Sequence, residues 1–174
     1  MDYIYKFIII GNSNVGKSTI TSQFTDSNNP MIAGQTIGVE YSDRSICLTN
    51  GKSVKIQIWD AAGSEIFQTI VDSYYKNAVG VIITYSVDDV GSFNAIKSWI
   101  TKAKRRCSKD MKMILVANKI DVPIYSRVVT PFMGKQLADE NDIDYIEVSG
   151  KTGKNVFDVF KTLSETIYDV THDK

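Results

Sequence analysis

The chain is poor in the residues that would place it outside the cell or against a charged partner. Its 174 residues include two cysteines, Cys47 and Cys107, with no CxxC or metal-type spacing. That argues against a disulfide framework or a zinc site and predicts a reduced, intracellular chain. The single histidine, His172, stands in a polar terminus and joins no cluster of chemistry-bearing residues. Lys+Arg and Asp+Glu are 20 each, so there is no net field of the kind that nucleic acid or an anionic surface selects, and no nucleic-acid partner is expected. No apolar run approaches the ~18 residues of a membrane span. The opening MDYIYKFIIIG has neither the length nor the cleavage site of a signal peptide. Repeats, linkers and low-complexity segments are also missing.

What remains is an ordinary globular composition, 43% hydrophobic and 23% charged, in a length that suits one domain with a real core spanning 1–174. The densest basic run, KAKRRCSK at 102–109, reads as a solvated helix end that complements the helix dipole.

Apolar runs alternate with helical periodicity. KFIII (6–10), AVGVIITYSV (78–87) and MKMILVAN (111–118) read as buried strands, and residues 144–149 as a short one. SICLT and VKIQIW, separated by NGKS, form a hairpin turning at Asn50-Gly51. Helices are predicted from Lys17 to about Asp26, from a cap at Ser92, from the pair Thr130-Pro131, and over the last segment. The Ser92 helix would turn Phe93, Ile96, Trp99, Ile100 and Ala103 to one face, and the last helix Val156, Val159, Phe160, Leu163 and Ile167. Strand–helix alternation implies right-handed crossovers, a mostly parallel sheet with helices on both faces, and ligands beyond the carboxyl ends of the strands.

Three motifs fall at those ends. GNSNVGKS (11–18) fits G-x-x-x-x-G-K-[ST] between a strand and a helix. Backbone N–H groups from Asn14, Val15 and Gly16 through Lys17 and Ser18 to Thr19 would cradle phosphate oxygens at a helix N-terminus. Lys17 would bridge the β- and γ-phosphates, and the Ser18 hydroxyl would ligate Mg²⁺. NKID (118–121) offers a carboxylate, Asp121, that can accept from both the N1–H and the 2-amino group of guanine. Adenine lacks that donor pair and would leave the carboxylate unpaired. Asn118 would bond the N7 edge of the base or tie loops together, and the Lys119 stem would cover the ring. Ser149, Gly150 and Lys151 follow a strand where they can brace the base from the other side. Together these point to GTP as ligand; a P-loop kinase would need a lid or acceptor site that residues 19–60 do not offer.

With TIGVEY (36–41) and WDAAG (59–63) in the same order, the chain resembles the small GTPases of the Ras superfamily, and within it the Rab family, over residues 3–170. The resemblance implies a six-stranded sheet with one antiparallel edge strand, five helices on both faces, and switch segments near 27–40 and 61–76. It implies GTP/GDP and Mg²⁺ as cofactors, with Thr36 on the metal and the γ-phosphate, Gly63 on the same phosphate, and Asp60 holding Mg²⁺ through water. Loss of the γ-phosphate would then release both switches. Ile37 and Gly38, with the aromatic set Tyr41, Trp59 and Tyr74, would form an effector surface. The implied role is a switch in vesicle traffic served by effectors, an exchange factor and a GTPase-activating protein. A monomer is expected, cytoplasmic, and peripheral on membranes only through a prenylated tail that this chain, ending THDK, does not show; a trimmed chain is expected rather than an unprenylated relative.

Three departures modify these expectations. Ser64 stands where the family has a glutamine that orients the attacking water; serine is two bonds shorter and lacks the amide's paired donor and acceptor, so intrinsic hydrolysis should be slow. Catalysis would then rest on Lys17, Thr36 and Gly63, with Ser64 a weak substitute, and the alternative role is a GTP-bound platform with negligible hydrolysis. Asn29 stands where an aromatic normally meets the guanine edge, which should speed nucleotide release unless Met31 replaces it. Ala61 and Gly150 replace the usual threonine and alanine; both remain small, so the backbone contacts should survive.

Overall fold

The computed structural model describes residues 2–25, 39–61 and 73–173. Strand β1 (Tyr3–Ile10) leads into helix α1 (Lys17–Thr25). Strands β2 (Val39–Cys47) and β3 (Ser53–Ala61) form the expected hairpin, with Gly51 at φ +83° in its turn. After β4 (Gly80–Ser86) come α2 (Val90–Asn94) and α3 (Ile96–Arg106), then β5 (Lys112–Asn118), α4 (Pro131–Glu140), β6 (Asp144–Glu147) and α5 (Val156–His172). The sheet order is β2-β3-β1-β4-β5-β6, and β2 alone runs antiparallel to its neighbour.

Period-two alternation sorts the central strands between two cores. Phe7, Ile9, Ile82, Ile114 and Val116 face α1 and α5, where Phe24 and Phe160 stack with centroids 3.8 Å apart. Ile8, Ile10, Val81, Ile83 and Leu115 face α3 and α4. Because both faces are covered, these strands read as unbroken apolar runs. The connection after β1 leads towards β3 and the one after β4 towards β5. Their carboxyl ends therefore flank the crevice where such sheets bind ligands.

Two local expectations change. Asp89, not Ser92, caps the helix after β4: its Oδ1 accepts from the Ser92 amide at 3.2 Å. Ser92 is buried inside the first turn, where its hydroxyl accepts from the Ser86 amide at 3.0 Å and donates to the Asp89 carbonyl. The hydroxyl thus satisfies a backbone donor that the end of β4 would otherwise bury unpaired. The helix also breaks into α2 and α3 at Ala95. The Thr130-Pro131 start holds, with the Thr130 hydroxyl accepting from the Met133 amide.

Candidate nucleotide site

The loop between β1 and α1 needs glycine at two points. At Gly11, φ is +148° and a Cβ would stand 2.2 Å from the Thr84 carbonyl oxygen of β4. At Gly16, φ is +96° and a Cβ would stand 2.3 Å from the Asn118 side-chain nitrogen. Neighbouring strands pass this close because the loop folds back over the sheet's carboxyl edge. Asn14, at φ 67°, takes the left-handed conformation that asparagine tolerates. The loop then delivers the chain into the first turn of α1, whose amides provide the positive end of a helix.

Opposite charges meet beneath this loop. Lys17 is 7% exposed, and its Nζ donates to the Asn12 carbonyl at 2.9 Å. Burial pulls its pKa down, and the nearby Asp60 carboxylate acts against that fall. Asp60 is the penultimate residue of β3 and is 1% exposed. Its Oδ2 accepts from the Ser18 hydroxyl, while its Oδ1 has no hydrogen-bond partner among the described residues. Burial pushes the Asp60 carboxyl up to about 6, against the opposing influence of Ser18 and Lys17. An orphaned buried carboxylate oxygen beside a serine hydroxyl is a hard oxygen donor set, and it fits Mg²⁺. No three His, Cys, Asp or Glu side chains converge among the described residues. A cation here would therefore draw much of its shell from phosphate and water.

The base side is tied to the phosphate side by one amide. Asn118, 2% exposed, donates from Nδ2 to the Val15 carbonyl at 2.8 Å. Its Oδ1 accepts from the Gly150 amide at 2.9 Å. Three loops distant in sequence meet on that side chain. Lys119 adopts φ 68° and donates from Nζ to the Asn14 carbonyl at 2.7 Å, so its stem spans from the base loop to the phosphate loop. Ser149 donates from Oγ to Asp121 Oδ1 at 2.8 Å and accepts from the Thr152 amide at 3.0 Å, which fixes one oxygen of the Asp121 carboxylate. Gln23 reaches the Lys151 carbonyl at 3.2 Å. Asn14, Val15, Gly16, Lys17, Ser18, Asp60, Asn118, Lys119, Asp121, Ser149, Gly150 and Lys151 thus lie around one edge of the sheet.

Thr36, Ile37, Gly38, Gly63 and Ser64 lie outside the described residues, as do Asn29, Met31 and most of both switch segments. Of the aromatic set, Tyr41 is 48% exposed and meets Trp59 edge-on at 5.4 Å, across the β2–β3 register. Tyr74 is 3% exposed, and its hydroxyl donates to the Ile9 and Trp59 carbonyls at 2.9 and 2.8 Å. Tyr74 is therefore buried and tied to the backbone near the ends of β1 and β3, while Tyr41 stays exposed.

Sequence reasoning missed a cluster that braces the end of β6. Arg127 pairs with Glu147, Tyr145 donates to Glu147 at 2.6 Å, and Asn155 donates to the Glu147 carbonyl at 2.8 Å. Two residues past Glu147 comes Ser149. No spacing rule signals an ion pair between residues 127 and 147.

A glycine-bearing cradle at the switch point, buried Lys17 and Asp60 beside a half-buried Ser18, and a base-side clamp define a P-loop nucleotide-binding domain. The sequence profile of the Ras family matches residues 6–169. Ras-related protein RAB1BV of Beta vulgaris is 41% identical over 166 residues, 95% of this chain and 77% of its own length. RABE1d of Arabidopsis thaliana is 40% identical, with 95% and 76% covered. RIC1 of Oryza sativa subsp. japonica is 42% identical, with 95% and 81% covered. The chain belongs to the Ras family of small GTPases, among its Rab members. Membership brings the general role of a GTP-binding switch in membrane traffic. No described helix is long and apolar enough to cross a membrane.

Proposed function

We propose that the chain is a Rab-type switch that binds GTP and GDP with Mg²⁺ and hydrolyses GTP slowly on its own. The observation that supports this best is the Asn118 clamp, which joins the phosphate loop to both base loops and sets the Asp121 carboxylate beside Ser149. A guanine edge would give Asp121 the two donors it can accept, and the Lys119 stem would lie along the ring. Lys17 would grip the β- and γ-phosphates, and Ser18 and Asp60 would hold Mg²⁺ together with Thr36. Held by those residues, Mg²⁺ would supply neutralisation of the phosphate charge. Thr36 and Gly63 would sense the γ-phosphate, and its loss would release the two switch segments.

Ser64 supports the slow step, since a serine hydroxyl cannot span from an attacking water to the γ-phosphate as a glutamine amide does. A GTPase-activating protein would supply the missing groups in trans, and an exchange factor would reload the site. Effectors would read Ile37, Gly38, Tyr41 and Trp59 in the GTP state, with buried Tyr74 holding the backbone at Ile9 and Trp59. The chain would act as a monomer, reaching membranes through a lipidated tail.

The test is single-turnover hydrolysis of preloaded GTP, wild type beside Ser64→Gln, with no partner protein. Restoring one transition-state contact worth ~1.4 kcal/mol would accelerate the variant about tenfold. Fast and equal rates would refute the role given to Ser64. Negligible rates in both would favour a second reading that Ser64 also supports, a GTP-bound platform that recruits partners without turning over.

A further inference from the structure

The indole of Trp99 donates from Nε1 to the side-chain oxygen of Asn12 at 2.9 Å, across 87 residues of sequence. Asn12 is the second residue of the phosphate loop, and its backbone carbonyl accepts from the Lys17 ammonium at 2.9 Å. One residue is therefore held at both ends, its side chain by helix α3 and its main chain by the buried lysine. The donor itself is anchored: Ile96, Ile100 and Ala103 of α3 are buried in the core beneath, and Lys102 lies over the Trp99 ring at 4.9 Å. Helix α3 carries none of the nucleotide motifs.

We propose that Trp99 is a positioning residue for the phosphate loop: its indole N–H fixes Asn12 so that the Asn12 carbonyl keeps the Lys17 ammonium aimed at bound phosphate. The proposal rests on the nucleotide reading above and adds a residue to it. A buried ammonium has three donors and a freely rotating end. A carbonyl in a fixed place selects one rotamer and directs the other donors towards the ligand. Without the indole, the Asn12 peptide can rotate, and Lys17 loses its fixed acceptor while remaining desolvated. The same link connects α3 to the phosphate loop through Asn12 and Lys17, and movement of that helix would alter release.

The test measures dissociation of labelled GDP, chased with excess unlabelled GDP in Mg²⁺, for wild type, Trp99→Phe, Asn12→Ala and the double variant, with Tm measured for each. Phenylalanine keeps an aromatic ring in place and removes the indole donor together with part of its volume, which the Tm reports. Loss of one such hydrogen bond predicts about three- to tenfold faster release in each single variant. The double variant should release no faster than the faster single one, because both changes break the same contact. Effects that multiply, or an unchanged rate in Trp99→Phe, would overturn the proposal; a lowered Tm with an unchanged rate would make Trp99 a packing residue only.

A second readout needs no nucleotide. The Trp99 indole N–H resonance, assigned by its absence in Trp99→Phe, should shift in Asn12→Ala, and an unmoved resonance would show the contact does not form. If the wild type retained no GDP, the nucleotide reading would fail, and the indole resonance would still decide whether Trp99 holds Asn12.

Discussion

Replacing Asn118 with alanine removes more than a base contact. Its amide satisfies the Val15 carbonyl and the Gly150 amide, and both residues are buried. Truncation leaves two buried polar groups unpaired, at about 1–3 kcal/mol each. The sum, roughly 2–6 kcal/mol, is a large part of the ~5–15 kcal/mol that stabilises a typical domain. A water admitted to the vacated space would hold the loss to the lower end of that range. For a chain of this size the midpoint should fall by roughly 5–20 °C. The assay is thermal and urea unfolding of nucleotide-free protein, repeated with saturating GDP. The nucleotide-free shift isolates the clamp, and any extra loss of GDP-induced stabilisation measures the effect on binding. Asn118→Asp is a sharper version, since it keeps an acceptor for Gly150 but sets a carboxylate oxygen against the Val15 carbonyl. A nucleotide-free midpoint within about 2 °C of wild type for Asn118→Ala would refute the clamp, whatever happened to GDP affinity.

Two glycines with similar backbones separate strain from collision. Gly51→Ala, at φ +83° with nothing within 4 Å, should lose only about 1–2 kcal/mol in unfolding. Gly16→Ala, at φ +96° and 2.3 Å from the Asn118 nitrogen, should abolish GDP retention by displacing the clamp; equal behaviour of the two would contradict the close approach. Asp60→Asn should stabilise the nucleotide-free protein near pH 7.5. With the native carboxyl at about 6 and an unfolded value of 3.8, the native state holds the extra proton between those values. The wild type therefore loses stability as pH rises through that window, by up to about 3 kcal/mol. The advantage of Asp60→Asn should shrink as pH falls from 6 towards 4, while its Mg²⁺-dependent nucleotide affinity is lower at neutral pH; a gap independent of pH would refute the burial argument. Asp121→Asn should shift base preference from guanine towards xanthine in competition binding, since an amide suits a 2-oxo group, and unchanged GTP affinity would overturn the account of base reading.

The elements that sequence reasoning placed correctly are those whose signal is local. The apolar runs of β1, β4 and β5, the Asn50-Gly51 turn and the Thr130-Pro131 start each depend on a few adjacent residues. The phosphate loop was legible for the same reason, since its glycines, lysine and serine are contiguous. What was not legible depends on pairs far apart. Asp89 and Ser92 compete for one helix start, and the choice turns on the Ser86 amide at the end of a neighbouring strand. Tyr74 looks like a surface aromatic until the carbonyls of Ile9 and Trp59 are seen to meet its hydroxyl. Trp99 fits an apolar helix stripe, and nothing in its spacing reveals that its one polar atom faces Asn12.

The two halves of the site differ in how complete they are without ligand. On the base side, both ends of Asn118, the Lys119 ammonium and the Ser149 hydroxyl are engaged by the protein itself. That half is preorganised, so a base entering it would spend little on ordering side chains. On the phosphate side, among the described residues, a desolvated lysine has one neutral carbonyl, and a buried carboxylate has one orphaned oxygen. On the proposed reading a phosphate and a cation arriving together would relieve both demands. On the proposed reading the base half would decide which nucleotide fits, while the gain on binding would concentrate at the phosphates. A site divided in that way responds most strongly to the end of the nucleotide that hydrolysis changes, which is what a switch requires.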